Sequence, residues 1–162
     1  MRSGWSGVAL AATVVAFAVL PACAQLQPEV GDEIPACVDA DSNPDPNAKV
    51  DFATQIRPLF DDKVPGTRGC KDCHYKGEGT EAGIQQVQLT MKPLSEARKG
   101  GVNSRDTTIV PGSPCKSVIV QKLRGSFFGG ARMPKTGPFW GPKEMQLLQD
   151  WIFEGANGDP NL

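Results

Sequence analysis

The sequence predicts a small all-α domain with long loops, and three observations carry that expectation. Segments near 51–60, 113–125 and 142–155 space their apolar residues as one face of a helix does. No segment of comparable quality alternates as a strand does. Gly (18) and Pro (14) are over-represented, which favours short helices joined by irregular connections. At 162 residues the chain has room for one domain of ordinary size, and no internal repeat is visible.

The chain opens with Arg2 and an apolar run from Val8 to Leu20, broken only by Thr13. Thirteen residues are too few to span a bilayer as a helix, so residues 1–24 read as a secretory signal and the protein as exported. Two processing readings remain open. Ala22-Cys23-Ala24 fits small-x-small cleavage after Ala24, which leaves a periplasmic protein. Leu20-Pro21-Ala22-Cys23 resembles a lipoprotein signal, with Cys23 as the acylated first residue and a lipid anchor in the envelope membrane; Pro21 departs from that pattern. Residues 25–50 are acidic, carry Pro28, Pro35, Pro44 and Pro46, and show no period, so they read as an extended linker before a domain at 51–162.

Within that domain, Asp51 is placed to cap a helix carrying Phe52, Ile56, Leu59 and Phe60, shortened or kinked by Pro58. A glycine-rich loop (Gly77, Gly79, Gly83) and a poorly patterned region from Val87 to Val110 follow, with a short helix expected at 94–99. Ser113 and Pro114 are the expected cap and first residue of a helix through Val118, Ile119 and Leu123 to Gly125. The best-patterned helix starts at Pro142 with Glu144 in its first turn, continues through Met145, Leu148, Trp151 and Ile152, and stops at Gly155.

The net charge of −1 hides an asymmetry. Residues 25–50 carry six acids against Lys49, whereas residues from 51 onward carry 15 basic and 12 acidic side chains. That mild, dispersed excess excludes the basic stripe of a nucleic-acid binder and is compatible with docking to an acidic protein.

Cys70-Lys71-Asp72-Cys73-His74 is the attachment sequence of a covalent haem c. Two thiols three residues apart can add to the vinyl groups along one edge of a porphyrin, and the next side chain offers an imidazole to the iron. The competing readings are weaker. A zinc site needs two more paired Cys or His ligands, but only Cys23, Cys37 and Cys115 remain, and His74 is the single histidine. A redox dithiol would sit in a βαβ pattern, which is absent from the sequence. With no second histidine, a distal iron ligand from this chain must be a methionine. Met133, in Gly129-Gly130-Ala131-Arg132-Met133-Pro134, is best placed in a flexible loop closed by proline. Met91 and the helix-face Met145 are the other choices.

These residues resemble the class I cytochrome c-like domains, in their planctomycete-type variety, over roughly Phe52 to Ala156. The resemblance runs through Ile56-Arg57-Pro58-Leu59-Phe60, Cys70 to His74, Val110-Pro111-Gly112-Ser113-Pro114, Arg132-Met133-Pro134, and Leu147 to Ala156 with Trp151-Ile152. It implies a small helical domain whose first and last helices pack beside one haem, with His74 as proximal and Met133 as distal iron ligand. It implies a carrier of single electrons between redox partner proteins, with no catalytic residues and no small-molecule substrate. Two departures stand out: the stretch Asp61 to Gly69 is longer than usual, and Cys115 occupies a position more often polar or acidic. Cys115 is a candidate disulfide partner for Cys37, which would leave Cys23 as the odd cysteine that lipidation or cleavage explains. The alternative function is a haem sensor or small haem enzyme with an open distal site; methionine ligation against carbon monoxide binding discriminates the two.

Overall fold

The computed structural model describes residues 34–43, 45 and 47–162. Residues 1–24, with Cys23, and the first part of the acidic stretch lie outside the described residues. Every regular element among the described residues is helical: α1 (Arg57–Phe60), α2 (Lys71–His74), α3 (Ala82–Val87), α4 (Leu94–Lys99), α5 (Val118–Arg124) and α6 (Pro142–Phe153). No helix among them is long and apolar enough to cross a membrane.

The first helical segment shows how local chemistry shapes the fold. Asp51 caps it as expected, its Oδ1 accepting from the Thr54 N–H at 2.8 Å. Pro58 has no N–H to give one turn back. Residues Phe52–Ile56 therefore form a wider π turn, closed by the Arg57 N–H on the Phe52 carbonyl, before α1 begins. This delivers Phe52, Ile56, Leu59 and Phe60 to the core, all buried. Phe52 stacks on Trp151 of α6 with centroids 5.3 Å apart, and Phe60 meets Trp151 edge-on at 6.4 Å, so the first and last helical segments share one aromatic core.

α6 forms as its pattern predicts. Pro142 occupies the first turn, Glu144 Oε2 accepts from the Gly141 N–H at 3.1 Å, and Met145, Leu148, Trp151 and Ile152 are buried. Gly155, at φ +106°, supplies the left-handed exit. α5 departs from expectation. Ser113-Pro114 opens only a 3₁₀ turn (Pro114–Lys116), and the α-helix starts after Ser117, whose backbone is extended (ψ 120°). The Ser117 hydroxyl is fully buried and must find partners. It accepts from the Val110 N–H at 2.9 Å and donates to the Ser113 carbonyl at 3.1 Å, which fixes the preceding turn at the cost of helix continuity.

The stretch read as a linker requires a correction. Its described part is extended, yet it is tied to the domain rather than spacing it from something else. Cys37 is disulfide-bonded to Cys115, with Cα atoms 5.7 Å apart. The Cys115 N–H donates to Asp39 Oδ1, Arg124 donates to the Pro35 carbonyl, Ser42 donates from its N–H and hydroxyl to Asp150, and the Val50 N–H donates to Glu154. Residue 50 is thus no domain boundary, because the strap closes on the faces of α5 and α6. The bridge spans 78 residues of chain. Replacing both cysteines by serine is expected to cost about 2–4 kcal/mol, read as a lower denaturant midpoint, because so long a loop gives the unfolded chain much entropy to regain.

Candidate functional site

Cys70 and Cys73 flank a single helical turn. The His74 N–H donates to the Cys70 carbonyl at 2.9 Å, closing α2 and bringing residues 70, 73 and 74 within one turn of one another. The long stretch 61–69 does not displace this turn, since it loops out and returns. The Cys70 N–H donates to the Phe60 carbonyl at 2.8 Å, and the Gly69 N–H donates to Asp62 Oδ1 at 2.9 Å. A Cβ at Gly69 would lie 2.6 Å from the Leu59 and Phe60 carbonyl oxygens, so the return needs glycine. The site therefore hangs directly on the C-terminal end of α1.

The two thiols are not bonded to each other. Burial, opposed by the charge of Arg57 and reinforced by those of Asp61 and Asp62, pushes the Cys70 thiol up to about 12. An exchange-active thiol is shifted the other way, so this residue is a poor redox nucleophile. The Cys73 sulfur lies 3.6 Å from Asp72 Oδ2 and 3.7 Å from the Thr80 hydroxyl.

His74 is the most constrained member. Its Nδ1 lies 3.0 Å from the Leu89 carbonyl, which must accept the ring proton there, and this leaves the Nε2 lone pair for another partner. Burial holds its pKa below the ordinary value, with the Leu89 bond opposing, so the ring is neutral as a metal ligand must be. Gly83 of α3 forms the other wall. A Cβ there would sit 2.1 Å from Cε1 and 2.4 Å from Nδ1, so only glycine lets α3 close on the ring. Gly83 had been expected in a loop; it lies in a helix, which starts and ends on left-handed residues (Glu81, φ +54°; Gln88, φ +53°) that no pattern announces.

Behind the turn, Tyr75 is buried and tethers the site to α1. Its hydroxyl donates to Asp61 Oδ1 at 2.6 Å and accepts from Arg57 Nη1 at 2.9 Å. Burial raises the Tyr75 pKa, followed by the Asp61 bond, so it remains a donor. For Asp61, burial alone would raise the pKa, but bonds from Tyr75 and Lys63 and the charge of Arg57 more than offset it and hold the pKa below its usual value. A carboxyl depressed on folding stabilises above its unfolded pKa of about 3.9, and the contribution is lost as pH falls through the lower folded value. Asp61→Asn is expected to cost about 2 kcal/mol at neutral pH, by stranding buried Arg57, and to make stability less steep as pH falls below about 4. Urea melts at several pH values check both.

The methionines separate clearly. The Met91 N–H donates to the His74 carbonyl at 2.8 Å and its side chain is buried. It lies two residues after Leu89, whose carbonyl faces Nδ1, and its side chain belongs to the hydrophobic core. Met145 is wholly buried on α6. Met133 is half-buried against the core on the loop after α5, its N–H donating to the Lys122 carbonyl at 2.9 Å. Among the described residues, no three of His, Cys, Asp and Glu are grouped to hold a metal ion by themselves. A cavity of about 90 Å³ lined by Lys49, Val50, Trp151, Glu154 and Asn157 shares no residue with the site.

Comparison with family models, curated proteins and solved structures finds no match to this chain.

Proposed function

We propose that this chain is a monohaem c-type cytochrome that carries single electrons between redox partner proteins in the cell envelope, as its resemblance to class I cytochrome c-like domains implies. The observation that carries the reading is the His74 Nδ1 contact to the Leu89 carbonyl, made beside two unbridged cysteines on the same helical turn. A histidine held by its other nitrogen to a backbone carbonyl is the arrangement that orients a metal ligand. The residues present fit a haem. The Gly83 face receives the imidazole without a Cβ, and the two unbridged thiols are available for thioether bonds.

When bound, the haem iron supplies reversible one-electron exchange. Cys70 and Cys73 would hold it by thioether bonds and His74 would ligate its iron, while the Leu89 carbonyl holds the ring's tautomer and direction. Met133 would be the second ligand to the iron, since it is half-buried on a loop while Met91 and Met145 are both buried in the core. The Arg57–Tyr75–Asp61 network keeps α1 and the attachment turn in fixed relation, which limits the movement that electron transfer would otherwise require.

The test is mass spectrometry and absorption of the full chain produced in a host that matures c-type cytochromes. A haem-sized addition on the peptide containing residues 70–74, lost in the Cys70→Ser, Cys73→Ser double variant, is expected. A colourless wild-type protein with unmodified cysteines overturns the reading.

A further inference from the structure

The loop after α5 presents one aromatic side chain entirely to solvent. Phe128 is 100 % exposed, whereas the other large apolar side chains on the described surface are aliphatic and more covered. The exposure is built in. Lys122 Nζ donates to the Gly129 carbonyl at 2.6 Å and lies 4.8 Å from the Phe127 ring centre, so one phenylalanine is folded under a cation while the next points away. Gly129 and Gly130 turn the chain at φ +109° and +75°.

The stretch of chain that carries this tip is positive, although Asp39 of the strap bonds the Cys115 N–H ahead of α5. Between Thr107 and Lys143 there are six basic residues (Lys116, Lys122, Arg124, Arg132, Lys135, Lys143) and no acid, so the domain's whole positive excess falls in this stretch. At the base of the loop, Arg132 packs against Gly125, donates from Nε to the Leu123 carbonyl at 2.8 Å, and stands close enough to Arg124 to feel its charge.

The same place receives the chain's N-terminal segment. Arg124 donates to the Pro35 carbonyl and Cys37 is bonded to Cys115, so the described chain begins beside α5.

We infer that the loop 125–131, with Phe128 at its tip and Lys122, Arg124 and Arg132 around its base, docks on an anionic lipid surface. The aromatic ring enters the interfacial layer while the cations meet lipid phosphates. The inference stands apart from the haem reading, because none of its residues touches the attachment turn.

The probe is the full chain carrying Phe128→Trp, mixed with vesicles of phosphatidylcholine alone or of equal parts phosphatidylcholine and phosphatidylglycerol. Trp140 and Trp151 are buried and wild type, which shares Trp5, is run alongside, so a change in emission on mixing found only in the variant reports the loop. A blue shift only with the anionic vesicles, abolished near 1 M salt where the screening length is about 3 Å, is expected. Phe128→Ala should lower partition onto anionic vesicles about tenfold, and Arg124→Gln about fivefold. Emission of the Trp variant unmoved by anionic vesicles, as an acidic protein partner on this face would leave it, overturns the inference. So does equal partition of wild type and Phe128→Ala.

Discussion

Gly83→Ala is expected to expel the His74 ring from its seat, with a net destabilisation of about 2–3 kcal/mol and loss of the native iron ligation in the haem-bound protein. The sign is not obvious from helix chemistry alone. Gly83 lies inside α3 and outside the left-handed region, where alanine would stabilise a helix by about 1 kcal/mol. Against this stands a Cβ placed 2.1–2.6 Å from Cε1, Nδ1 and Nε2, which the aromatic ring cannot absorb by flexing. Relief requires the imidazole to move by more than 1 Å, on the order of the overlap itself. That shift breaks the 3.0 Å bond to Leu89 and misdirects Nε2. Thermal melts and the absorption spectrum should change together. A variant that melts higher than wild type, with an unchanged spectrum, would show that α3 does not abut the ring.

Parts of this arrangement were legible because their chemistry demands particular side chains at short spacing. Cys70, Cys73 and His74 belong to that kind, as does α6, where burial imposes a 3.6-residue period on Met145, Leu148, Trp151 and Ile152. Leu89 was not legible, because it acts through a backbone carbonyl that any residue carries. Gly83 was visible only as one of three glycines and passed for a loop residue, since a six-residue helix has no room for a periodic signal. Arg57, Tyr75 and Asp61 lie up to 18 positions apart and join only when α1 and the attachment turn are brought together. The strap at 34–50 looked like a linker because its attachments are single polar contacts and one disulfide spread over distant partners, with no period to betray them.

If the chain binds haem as proposed, Met133→Ala is expected to open the distal side of the iron. In the wild type, a thioether on the iron would give the weak far-red absorption of methionine ligation in the oxidised protein and leave no position for carbon monoxide after reduction. The variant should lose that band, bind the gas, and fall in reduction potential by on the order of a few hundred mV, since a thioether favours the reduced metal. Folding should survive the change. Met133 is only half-buried, so truncation should cost about 1–2 kcal/mol, at the low end for a buried methionine. Met91→Ala supplies the contrast. Met91 is buried in the core, so its truncation should cost about 2–4 kcal/mol while the far-red band persists. Wild-type protein that already binds carbon monoxide would assign the site to sensing or catalysis rather than to electron carriage. Loss of the band in Met91→Ala rather than Met133→Ala would make Met91 the ligand instead.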